Sequence, residues 1–211
     1  MLTILAALVG CGHVGPSPAA VETTQLGHLH FWQAASRVEP VAEALCEARA
    51  PARHCDFRIV LDEQPNLAAD AGQSVGRDGR PVLTVTAAMV ARARHLDELA
   101  FVLAHEAAHH IQDHLPRLRQ IASQSGEDPA AGSLGVMNVP TEAGIIRAHA
   151  QLNRFELEAD ALGAQIAAVA GFDPLNGVRI LQRLDDLNPG ASISHPALAD
   201  RLRVVRNEIA G

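Results

Sequence analysis

Tyrosine is absent from this chain, and aromatics make up only 3% of its 211 residues. An active site built here has no phenol, so a side-chain donor to a developing negative charge must be His or Arg. Basic excess is missing too. The net charge is −7 and no stretch concentrates arginine, which argues against nucleic acid as a partner. Long apolar runs are also lacking. Met1 to Cys11 is apolar but short of the ~20 residues that span a bilayer as a helix. No transmembrane helix and no helical repeat array is expected. The length suits one domain with its own core.

What the chain does have is His105-Glu106-Ala107-Ala108-His109, inside a run that reads as helix from Asp97 to His114. Residues four apart on a helix differ by only ~40° in direction, so both imidazoles project from one face, spaced to grip one metal ion. Glu106 is offset by ~100° and can lean over the ion's open position, where a general base is wanted. H-E-x-x-H on a helix is the pattern of zinc proteases. Leu99, Phe101, Val102 and Leu103 on the approach, with small residues at Ala104, Ala107 and Ala108, suit a buried helix better than a solvated one. His110 and His114 lie ~140° from His105 and His109 on an unbroken helix and are expected to be non-ligands.

A third ligand is needed. A metzincin would place Gly and His where this chain has Gln112 and Leu115, which excludes that class. The alternative is a carboxylate from a second helix. The downstream candidates are Glu127, Glu142, Glu156, Glu158 and Glu208. Glu156 is preferred, because Asp160 follows it by four residues on the same helical face and can orient a ligating histidine from behind. Glu158 points ~200° away from Glu156 and is expected to be a solvated charge.

H-E-x-x-H followed by a helix bearing Glu156 and Asp160 resembles the HtpX and CAAX-prenyl-protease family, family 48 of the metallopeptidases. The resemblance extends to Asp97–Ala104 before the motif, to Gly171-Phe172-Asp173-Pro174, and to Ser194-His195-Pro196 with Arg201. It is nearest to the small outer-membrane lipoprotein proteases of the LoiP/BepA type. It implies an α+β, mainly helical zincin (gluzincin) fold with a small β-sheet before the zinc helix, and one Zn2+ per chain.

Leu8-Val9-Gly10-Cys11 resembles a bacterial lipobox, with Cys11 as the acylated residue, although no Lys or Arg precedes the apolar run. Residues 1–23 are therefore expected to be signal, lipobox and flexible tether, and 24–211 the peptidase domain. The expected location is the periplasmic face of the outer membrane, anchored through Cys11, with a soluble periplasmic protein as the alternative. In an exported chain the remaining Cys46 and Cys55 are expected to form a disulfide.

The patterning predicts a helix over 25–48, interrupted near Pro40. It predicts strands at Phe57–Leu61 and Pro81–Thr86, with a short third one at Asn66–Ala71 and a turn at Gly76–Gly79. A helix from about Thr86 to Arg94 leads to the zinc helix, which Pro116 or the residues just after it should end. Residues 120–140, rich in Gly, Ser and Pro, are read either as a mobile loop covering the cleft or as a plain connection. Thr141 to Ala170 is one long helix stopped by Gly171. Asp173-Pro174 starts the next, and His195-Pro196 opens the last.

The expected function is a zinc-dependent endopeptidase acting on protein or peptide substrates, misfolded envelope proteins among them. An extended substrate pairs with an exposed sheet edge. Glu106 serves as general base. The oxyanion donor is His195, Arg201 or His149, with His195 first because of the family-like His-Pro segment. His195 can instead plug the fourth zinc position in a resting state. As structural alternatives, His195 is a helix cap and Arg201 a solvated charge. A second class of function is a chaperone-like module that uses the cleft with little turnover. Glu106 argues against it, since a pure binder needs no base. The oligomeric state is left open.

Overall fold

The computed structural model describes residues 18–124, 142–187 and 195–210. Cys11 and the lipobox, residues 125–140 of the expected cover, and Asn188-Pro189-Gly190 lie outside the described residues.

Helix α3 (Leu96–Ile111) is the centre of the domain, with nearly every residue from Glu98 to Ile111 buried. A helix so short of solvent-facing positions has to be wrapped on several sides. It packs against α1 (Pro18–Arg49), against α5 (Glu142–Val169) and against the short α6 (Pro174–Gly177). α7 (Arg179–Leu187) follows α6, and α8 (Leu198–Ala210) packs on α5. The sheet has three strands: β1 (Arg58–Asp62), β2 (Ala71–Val75) and β3 (Pro81–Thr86). β3 is central, parallel to β1 and antiparallel to β2. The mainly helical α+β class expected from the sequence is borne out, with its small sheet ahead of α3. Among the described residues no helix is long and apolar enough to cross a membrane.

Several local expectations need correction. α1 runs unbroken through Pro40. Its buried stripe of Phe31, Ala34, Ala35, Val38, Ala42 and Cys46 keeps helical period across the proline, which faces solvent. Packing against α3 thus outweighs the local cost of a helix proline. Residues 18–23, expected as tether, open the same helix. The third strand is Ala71–Val75 rather than 66–71. Asn66, at φ 70°, is in a left-handed turn instead, a conformation asparagine tolerates. Helix α3 does not continue to Pro116. It ends at Ile111, Asp113 takes φ 64°, and α4 (His114–Gln124) starts afresh. Pro116 then sits in the first turn of α4, where its missing N–H costs nothing. Residues 120–124 belong to that helix.

Other expectations hold. Thr86 ends β3 and caps α2 (Ala87–Arg92), accepting from Met89 N. The same hydroxyl donates to Ala68 O at 2.9 Å and accepts from Asp70 N at 3.0 Å, so one buried side chain pins the segment ahead of β2. Gly171, at φ 81°, closes α5. Asp173 caps α6 through Leu175 N and Asn176 N. Asp97 at the head of α3 accepts from Asp173 N at 3.0 Å and from the Asn176 amide at 2.7 Å. The segments before the H-E-x-x-H motif and after α5 are thereby tied to each other.

Cys46, near the end of α1, is bonded to Cys55, ahead of β1, with Cα atoms 5.6 Å apart. The bond fixes the sheet to α1, and Glu43 accepts from Phe57 N beside it. Closing so short a loop is worth about 2.5–3 kcal/mol on the chain-entropy account. Urea unfolding of the Cys46→Ala/Cys55→Ala protein should show a loss of that size. A transition unmoved by the substitutions, or by reductant in the parent protein, would contradict the bond.

Candidate metal centre

Two helices supply the centre. α3 presents His105 and His109 from one face, and α5 presents Glu156 opposite them. His105 Nε2 and His109 Nε2 are 2.9 Å apart, and each lies 3.4 Å from one carboxylate oxygen of Glu156. The three ligand atoms all fall within 4.8 Å of one another. Two imidazole nitrogens and one carboxylate oxygen are a fitting set for a zinc ion that keeps a further position open. Among the described residues, this is the one such group of His, Cys, Asp and Glu.

Behind the centre, His105 Nδ1 lies 3.1 Å from Asp160 Oδ1. Asp160 is completely buried and receives Arg201 bidentately, at 2.6 and 2.7 Å. Arg201 Nη2 also stands 3.4 Å from Glu156 Oε2. Arg201 is therefore buried and paired, not a solvated charge. The helices meet closely here. A Cβ on Gly163, one turn beyond Asp160, would sit 3.0 Å from the His105 backbone, so glycine lets α5 carry its carboxylates up to the imidazoles.

The electrostatics favour a cation. Burial alone would push His105 down, but Asp160 and Glu156 outweigh it and raise its pKa to about 10. Burial and the charge on His105 depress His109 to about 3. Burial would raise Glu156, but His105, Arg201 and His109 hold it well below the usual carboxylate range. Glu156 and Asp160 together stabilise positive charge at His105. Glu106, buried beside them, is lifted to about 7, chiefly by burial. It faces a cavity of about 480 Å³ walled by Ala69, Val102, Leu181, Leu184, His195 and Arg201 among others.

His195 is at the rim, 47% exposed, with Nε2 3.9 Å from Glu156 Oε2. His149 is half-buried on α5 and does not line the cavity. His110 faces away from the centre, reaching His54 O at 2.8 Å and meeting the Phe57 ring edge-on. Sequence reasoning missed the role of His114. Its Nδ1 lies 2.8 Å from His109 Nδ1 and its Nε2 3.2 Å from Glu158 Oε2. Glu158 is correspondingly not a free solvated charge, for it accepts from Arg117 at 3.0 Å and Arg154 at 2.7 Å. The contact depends on the break between α3 and α4 at Asp113, which the residue pattern does not mark.

A model of peptidase family M48 matches residues 32–209. None of the curated proteins compared with the chain matches it.

The close approach at Gly163 generates a test. Gly163→Val must push the His105 backbone away from α5 and should cost about 1–3 kcal/mol as overpacking, read from urea midpoints. It should weaken metal retention at the same time. Unchanged stability would mean that α5 does not pack on α3 at this distance.

Proposed function

The chain belongs to peptidase family M48, and from that premise we propose that it is a zinc-dependent endopeptidase. His105, His109 and Glu156 hold the ion, and Glu106 is the general base. The observation that carries the reading is the convergence of the three ligand atoms within 4.8 Å beside a buried glutamate facing a cavity. A zinc ion held by these three residues would supply Lewis-acid chemistry for peptide hydrolysis near neutral pH.

The protein's own groups do the rest. Glu106 takes a proton from the attacking water and returns it to the leaving amine. Asp160 and Arg201 hold His105 and Glu156 in place from behind. β2 is an edge strand whose approach, Ala68 to Ala71, lines the cavity. An extended peptide pairing there is bound through its backbone, with little regard to sequence. That suits unfolded substrates, and we propose misfolded envelope proteins as the class. Attachment to the periplasmic face of the outer membrane through Cys11, as in the LoiP/BepA type, belongs to the same proposal and rests on the lipobox-like Leu8–Cys11.

Casein digestion and zinc content together test the assignment. Glu106→Gln should retain zinc and fold while losing cleavage by several orders of magnitude. His105→Ala, His109→Ala and Glu156→Ala should each bind less than one zinc per chain. Proteolysis persisting in Glu106→Gln, or full zinc content in Glu156→Ala, would sink the mechanism.

His195→Ala separates two roles for the rim histidine. Cleavage falling about 10²–10³-fold marks an oxyanion donor, whereas raised basal cleavage marks a plug over the ion's open position. Unchanged cleavage removes His195 from the reaction; it is not a helix cap either, because the last helix opens at Leu198 and not at His195-Pro196.

A further inference from the structure

His105 and His109 are oriented by different means. The Nδ1 of His105 meets a carboxylate directly, at Asp160. The Nδ1 of His109 meets another imidazole, His114, at 2.8 Å. A contact between two ring nitrogens at that distance needs one donor and one acceptor, and a neutral imidazole offers one of each. Nothing in the pair alone says which ring donates.

The next link decides. His114 Nε2 faces Glu158 Oε2 at 3.2 Å, and an ionised carboxylate only accepts. Glu158 is kept acceptor-only by Arg117 Nη1 and Arg154 Nε, at 3.0 and 2.7 Å. His114 must then carry its hydrogen on Nε2 and a lone pair on Nδ1. His109 in turn must donate from Nδ1, which leaves the lone pair of its Nε2 facing His105 and Glu156. The reversed order would set two lone pairs against each other at Glu158.

We propose that His114 is a positioning residue which, with Glu158, fixes the tautomer and ring plane of His109 so that its Nε2 lone pair points into the candidate metal site. The inference rests on the ligand reading given above. Its frame is rigid. The His114 ring is buried and stacked on Phe155, with centroids 4.4 Å apart and planes 13° from parallel. The Arg117 guanidinium lies over the Phe155 ring at 4.2 Å. The break at Asp113, φ 64°, creates the contact, because five residues along an unbroken helix would put His114 ~140° away. That break is itself braced: Gln112 Nε2 donates to Glu158 O at 3.1 Å, and Asp113 pairs with Arg53.

Zinc affinity, measured by competition with a chromophoric chelator, and histidine tautomers, read from long-range proton–nitrogen NMR of the zinc-loaded protein, test this. Wild type should show His109 protonated on Nδ1 and His114 on Nε2. His114→Phe keeps the stacking but removes the acceptor, and should bind zinc about 10–100-fold more weakly. His114→Gln restores an acceptor oxygen and should recover most of the loss, which a purely space-filling role would not produce. Equal zinc affinity in wild type and His114→Phe would overturn the proposal. So would a wild-type spectrum with His114 protonated on Nδ1, and that result needs no variant to fold. Wild type that binds no zinc would instead remove the ligand reading itself, and this inference with it.

Discussion

Everything in this domain depends on carboxylates of one buried helix reaching imidazoles of another. α5 must lie against α3 closely enough for Glu156 to stand 3.4 Å from both histidines and Asp160 3.1 Å from one of them. Small residues make the approach possible: Gly163 on α5 against Ala104 and His105, with Ala107 and Ala108 further along α3. The electrostatic cost of burying Asp160 is met by the bidentate Arg201, brought in by α8. Removing either partner would leave an uncompensated charge in the core, typically ~3–5 kcal/mol. α8 is thus part of the centre although it supplies no ligand.

A metal ion held by this candidate centre would couple its affinity to the fold. His105, His109, Glu156 and Asp160 bring more negative charge and lone pairs together than Arg201 alone can neutralise. The upward shift of His105 and the downward shift of Glu156 have one origin, an attraction that a single shared cation satisfies. A divalent ion meets the same demand, and binding that requires the assembled site contributes to folding free energy.

The cleft wall opposite is organised by equally economical means. Thr86 ends a strand, caps a helix and pins the segment before β2, so the chain beside the cavity is tied to the start of α2. Across the cavity Glu98 on α3 pairs with Arg183 on α7, holding in place the helix whose Leu181 and Leu184 line the apolar side. The first tie joins the segment before β2 to α2, and the second joins α7 to α3, the helix that carries Glu106.

Features that depend on local spacing can be read directly from the residue order. The i, i+4 histidines, the offset Glu106, and Glu156 with Asp160 on one face follow from helical geometry, and α3 and α5 place them together. The cap at Asp173 and the stop at Gly171 were legible because they are satisfied within a few residues. Other features depend on contacts between elements far apart in the chain. Pro40 failed to break α1 because its opposite face is packed on α3. Arg201 and Glu158, solvated charges by local pattern, were claimed by Asp160 on another helix and by His114 beyond a helix break. His114 reaches His109 because Asp113 turns the chain, a single left-handed residue that periodicity cannot register. Spacing fixes which side chains share a face of one helix; which face of another helix meets them is set by packing, and packing is summed over the whole chain.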